Sequence, residues 1–164
     1  MKSVVRNTHK YLSFFISLQL LLWTVSGIYF AFSKIELVRG EQYLASAPFS
    51  VDLSQVNLNV SDVTKLSLTQ RLGKDVLVAT RTTGKVYLDR SGEKIDKLST
   101  DEAMQIVAKR TTLRPQEVEE ISRAIAGSEY RGRSLPLYKV SAKSDIDEKI
   151  NVYVNVFSGG IVAI

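Results

Sequence analysis

Hydrolytic and metal chemistry need particular side chains, and this chain of 164 residues is poor in them: it has one histidine, His9, and no cysteine. A disulfide framework, a thiolate metal site and a cysteine nucleophile are therefore excluded. Serine chemistry of the usual kind needs a base beside its hydroxyl, and His9 is expected on the opposite side of a membrane from every hydroxyl of the domain that follows. Zinc would find only carboxylates there. Glu117, Glu119 and Glu120 could together hold a hard cation, but Arg114 and Arg123 flank them, so the run reads as a solvated, self-compensating surface. Gly159-Gly160 follows a strand pattern without a helix after it, which is not a phosphate-binding loop. The residues predict no catalytic site and no metal site.

The apolar run that follows His9 is the strongest signal in the sequence. No charged residue occurs between Lys10 and Lys34, and Tyr11 to Phe32 is mostly apolar. As a helix this run would span roughly 33 Å, enough to cross a bilayer. Residues 1–10 are read as a cytoplasmic basic segment and 11–33 as a transmembrane signal-anchor helix. Lys2, Arg6 and Lys10 precede the run without an acid, whereas Lys34, Glu36, Arg39 and Glu41 after it cancel. The positive-inside rule then puts the N-terminus in the cytoplasm and the remainder across the membrane. The apolar run exceeds the ~7–15 residues usual for a cleaved signal peptide. The one small-x-small site, Ala45-Ser46-Ala47, lies far downstream and is followed by Pro48. Ser13, Ser17, Thr24, Gly27 and Ala31, with His9 at one end and Leu20 interrupting, recur at three- and four-residue steps. Such a stripe lets a second membrane helix approach closely, whether from another copy or from a subunit of a larger complex.

Residues 34–164 contain all 17 acidic residues and 19 of the 22 basic ones, so a nucleic-acid partner loses its electrostatic support. The stretch 34–73 reads as a linker with weakly patterned strands; Val51, Leu53, Val56, Leu58 and Val60 alternate only in part. Regular patterning covers 74–164, read as one α+β domain. Asp75 to Thr80 and Lys85 to Asp89 read as a hairpin. Ser99 and Glu102 make a capping box for a helix over 100–111. Arg114-Pro115 reads as its break, with strands at 118–125, 137–142 and 150–156. Val152, Val154 and Val156 alternate with Tyr153 and Asn155, so one face packs while the other is polar and aromatic. Segments 86–95 and 152–161 each read as strand, Ser-Gly turn and strand, by a generic hairpin pattern or by duplication of one unit. The apolar ending Ile161-Val162-Ala163-Ile164 reads as a strand cut short of its natural end. Tyr130, Arg131, Arg133 and Tyr138 cluster within nine residues and are read as an interaction surface, since tyrosine and arginine are enriched at interface hot spots.

Several of these motifs carry a resemblance. Arg6-Asn7-Thr8-His9-Lys10-Tyr11, the run Leu22 to Phe30 and Arg39-Gly40-Glu41 resemble the first membrane helix of bacterial PepSY-associated transmembrane proteins. The helix over 100–111, Tyr130 to Val140 with its Leu-Pro-Leu-Tyr element, and Val152 to Gly160 resemble the PepSY domain itself. Residues 45–75 are outside the resemblance. It implies an α+β chain, with one N-terminal transmembrane helix followed by a helix packed on an antiparallel sheet. It places the chain in the bacterial inner membrane, with a periplasmic domain that serves as a non-catalytic binding or assembly module. Family members usually continue into another membrane helix bearing Trp and His. Because membrane-helix histidines in such proteins suggest axial haem ligation, the alternative is a subunit of a haem-dependent reductase of iron or flavin. In that alternative His9 is one ligand of haem b and another helix supplies the second; otherwise His9 is an interfacial histidine near lipid headgroups.

Overall fold

The computed structural model describes residues 2–33, 39–45 and 61–164, and divides the chain into two units at residues 1–39 and 40–164. The first unit is one helix, α1, Lys2–Phe32. Arg6 and Lys10 of the basic segment lie in the first turns of this helix. Every residue from Ser3 to Phe32 is exposed. The partial alternation at Val51 to Val60 lies outside the described residues.

The second unit is α+β, built on two antiparallel sheets. The first contains β1 (Val63–Arg71), β2 (Lys74–Arg81) and β3 (Gly84–Leu88) in that order. The β2–β3 hairpin falls where the β-forming runs predict it, with Arg81 opposite Gly84 across Thr82-Thr83. β1 goes beyond the sequence reading, which left 34–73 weakly patterned. Its hairpin with β2 closes through Leu72 (φ 49°) and Gly73 (φ 86°), consecutive left-handed residues that match the twist of the flanking strands.

Helix α2 (Thr100–Arg110) then leads into a four-stranded sheet in the order β4 (Arg114–Ile121), β5 (Leu137–Lys143), β6 (Lys149–Asn155) and β7 (Ile161–Ala163). Its start carries the capping box read from the sequence. Ser99 Oγ accepts from the Glu102 amide at 3.1 Å, and Glu102 Oε2 accepts from the Ser99 amide at 2.9 Å. That bond, with Arg71 Nη2 at 2.8 Å, lowers the Glu102 pKa. The strand expected over 118–125 starts four residues earlier. Pro115 lies inside β4 because β4 is an edge strand, where a missing N–H on the open side costs no ladder bond. Residues 122–125 instead leave the sheet.

The core forms where α2 covers the inner face of the second sheet. Ala103, Ile106 and Val107 meet Val140 and Ala142 of β5 together with Val152, Val154 and Val156, all at most 1% exposed. The sheets are also tied to each other. Arg71 at the end of β1 donates to Asp96 O at 2.7 Å and to Glu102, while Arg110 of α2 donates to Gln70 O. Asn155 Nδ2 donates to Tyr87 Oη at 3.2 Å, and the Tyr87 and Phe157 rings stack with centroids 5.1 Å apart.

The two similar segments use the same local chemistry in their turns. Asp89 Oδ1 accepts from the Ser91 and Glu93 amides and from Ser91 Oγ at 2.6–3.0 Å. These bonds, led by the Ser91 hydroxyl, lower the Asp89 pKa. Asn155 Oδ1 accepts from the Phe157 and Ser158 amides and from Ser158 Oγ at 2.9–3.1 Å. Each side chain closes its turn by replacing a backbone acceptor. Both segments return as an antiparallel pairing, Leu88 with Lys94 and Val154 with Ile161.

Candidate functional site

Alternation along β5 and β6 places Leu137, Lys139 and Tyr153 on the face of the second sheet opposite α2. The polar and aromatic face expected there is covered too, by the long β4–β5 connection at 122–136. Tyr130 of that connection packs on Tyr153, with ring centroids 5.2 Å apart and both residues at most 5% exposed. Glu129 accepts a 2.6 Å bond from Tyr153 Oη and a longer one, 3.4 Å, from Asn151 Nδ2. Burial first, and the Glu129 carboxylate second, push the Tyr153 pKa up, so the phenol keeps its proton and donates. Tyr130 Oη reaches Arg123 O at 3.4 Å. The connection is therefore pinned at its middle, with its tips left in solvent.

This arrangement corrects the four-residue surface expected from the sequence. Tyr130 and Tyr138 are both 5% exposed and serve packing. Tyr138 lies on the sheet face opposite Tyr130, in the α2 core, and its hydroxyl donates to Leu98 O at 2.8 Å. Arg131 and Arg133 remain exposed. Ile125 joins them at the surface and Arg123 lines the neighbouring depression with Glu119 and Glu120; sequence reasoning passed over both. The available signal was the run Ala124-Ile125-Ala126 beside Arg123, which the sequence reading placed at the end of a strand over 118–125. A depression of about 330 Å³ opens here, with Ile125, Ser128, Arg131, Arg133 and Leu135 among its walls.

Charge elsewhere in the second unit is mostly paired. The Asp75 carboxylate is buried and receives Arg90, and Glu120 meets Lys97 Nζ at 2.5 Å. Glu119 is 3.8 Å from Lys139 Nζ. The acidic run Glu117-Glu119-Glu120 thus lies on an exposed edge strand and is partly compensated by lysines. Among the described residues no group of three or more His, Asp or Glu side chains is placed to hold a metal ion.

On α1 the stripe His9, Ser13, Ser17, Leu20, Thr24, Gly27 and Ala31 falls within an arc of about 80°, since each residue advances roughly 100°. Its polar groups are engaged locally: Ser13 Oγ lies 3.4 Å from His9 Nδ1, and Thr24 Oγ1 donates to Leu20 O at 2.9 Å. A Cβ added at Gly27 would meet nothing within 4 Å. The stripe offers close packing to a neighbour, while the Thr24 proton is already used within the helix. For haem, residues 1–164 supply one imidazole, His9, so a bis-histidine site needs a second ligand from another helix.

Compared with known proteins, the chain matches no family model, no curated sequence and no solved structure.

Proposed function

We propose that the chain is a membrane-anchored, non-catalytic binding or assembly module. In this reading α1 is a single-pass anchor with its N-terminus in the cytoplasm, and residues 40–164 are a PepSY-type domain on the periplasmic side of a bacterial inner membrane. The observation that carries it is the exposure of α1. Phe14, Phe15, Leu21, Leu22 and Trp23 are all more than half exposed on a helix with no charge between Lys10 and its end. Water does not stabilise such a surface, and a bilayer does. The basic flank at Lys2, Arg6 and Lys10 supports the orientation. The paired charges of the domain support recognition over reaction, because the Asp75, Glu102 and Glu120 carboxylates already serve structural partners.

The partner of α1 is another transmembrane helix, from a second copy or from a membrane complex, packed on the small-residue stripe. Single cysteines test this cleanly in a chain that has none. In native membranes Ser17→Cys and Thr24→Cys should crosslink and Phe15→Cys and Leu22→Cys should not. Gly27→Leu should weaken the crosslinks of the first pair, since bulk at a small-residue contact separates the backbones. Equal crosslinking at all four positions, or none at any, would refute the partner.

A further inference from the structure

We propose that the 122–136 connection is a lipid-docking loop, with Ile125 entering the headgroup boundary of an anionic bilayer and Arg123, Arg131 and Arg133 meeting lipid phosphates. The proposal rests on the membrane-anchor reading of α1.

Ile125 is 66% exposed, and Ala124 and Ala126 beside it are exposed as well. An apolar tip therefore faces solvent in a connection that lies outside the strands. Arg123, Arg131 and Arg133 are exposed around it, and among the described residues none of the three forms an ion pair. The connection has one acid, Glu129, and its carboxylate is committed to Tyr153 Oη and Asn151 Nδ2. The acids at the end of β4 face other bases, Glu120 with Lys97 and Glu119 with Lys139. At the tip, Ile125 shares one depression with Arg131 and Arg133, and a second with Arg123, which Glu119 and Glu120 also line. An apolar group beside Arg131 and Arg133, with the one acid of the connection bonded to Tyr153, is complementary to a surface that is oily below and anionic above.

Covalent geometry supplies the second argument. Six residues, 34–39, join Ser33, just after α1, to Gly40, and even fully extended this link reaches only about 25 Å. A domain held on so short a tether meets the bilayer surface at high effective concentration, so weak contacts are enough to hold it. The β5–β6 turn offers a contrast within the same domain. Ile146 is still more exposed, at 83%, but Asp145, Asp147 and Glu148 surround it in sequence, and an anionic surface repels that turn.

The test uses the full chain in nanodiscs, labelled with an environment-sensitive dye at Ile125→Cys or at Ile146→Cys. In discs containing phosphatidylglycerol the dye at 125 should shift to the blue and be shielded from acrylamide, while the dye at 146 stays accessible. In pure phosphatidylcholine the shielding at 125 should fall. The triple change Arg123→Gln, Arg131→Gln, Arg133→Gln should abolish it. An arginine near an anionic surface is worth roughly a fivefold factor, so three shift the docked population by about 100-fold. A dye at 125 as accessible as one at 146, or shielding indifferent to lipid charge and to the arginines, would overturn the proposal. Shielding at 125 in crude membranes but not in protein-free nanodiscs would assign the loop to a protein partner and overturn it too. Failure of the chain to co-elute with the discs would instead refute the anchor, and the docking loop with it.

Discussion

Replacing Leu21 and Leu22 together by arginine should remove the chain from the membrane fraction. Both lie near the middle of the apolar run Tyr11 to Phe32, the depth at which a charge is most costly. An arginine at a helix centre costs about 2.5–3.5 kcal/mol on the insertion scale, and the lost leucines add a few tenths each. The pair therefore shifts insertion by roughly 6 kcal/mol, more than a 10,000-fold change in equilibrium. Resistance to alkaline carbonate extraction reads it directly. Leu21→Ile with Leu22→Ile should extract like the unaltered chain. If the double arginine chain stayed in the carbonate pellet, α1 would not be held by its apolar length.

The largest effect within the domain is expected at Ile106. This side chain is 1% exposed between α2 and the second sheet, so Ile106→Ala leaves a cavity that the packed β strands cannot close. The cost should be about 2–5 kcal/mol, read by pulse proteolysis of the domain across a urea series. Gly159 is coupled to it. At φ +67° a side chain is strained in any case, and a Cβ there would come within 2.7 Å of Ile106 Cδ1. Gly159→Ala alone should cost about 1–3 kcal/mol from strain and overpacking. In the Ile106→Ala background the overpacking disappears, so the two changes should fall short of additivity by about 1 kcal/mol. Strict additivity would show that the turn tolerates a methyl group without touching α2.

Features set by neighbouring residues were the legible ones. The α2 helix starts at its capping box because Ser99 and Glu102 satisfy each other's amides without help from the rest of the fold. The β2–β3 hairpin and the alternation of β6 came through for the same reason. Features set by distant partners did not. β1 is a strand because it pairs along its length with β2, and Leu72-Gly73 carries a weaker turn signal than Asn-Gly would. Pro115 reads as a breaker until its strand is known to be an edge. Tyr130 and Tyr138 look alike in sequence, yet they fall on opposite faces of one sheet and both are buried. Arg123 and Ile125 leave the sheet on a connection fixed by the distant contacts of Glu129 and Tyr130 with Tyr153.

The central claim is that α1 holds the domain on the far side of a membrane from the N-terminus. Single cysteines at Ser3 and Ile146, both exposed, separate the two sides because no native cysteine competes. With a membrane-impermeant maleimide on intact spheroplasts, Ile146→Cys should label at once and Ser3→Cys only after permeabilisation. Labelling of Ser3→Cys in intact spheroplasts with protection of Ile146→Cys would invert the topology, and equal labelling of both before permeabilisation would contradict the anchor itself.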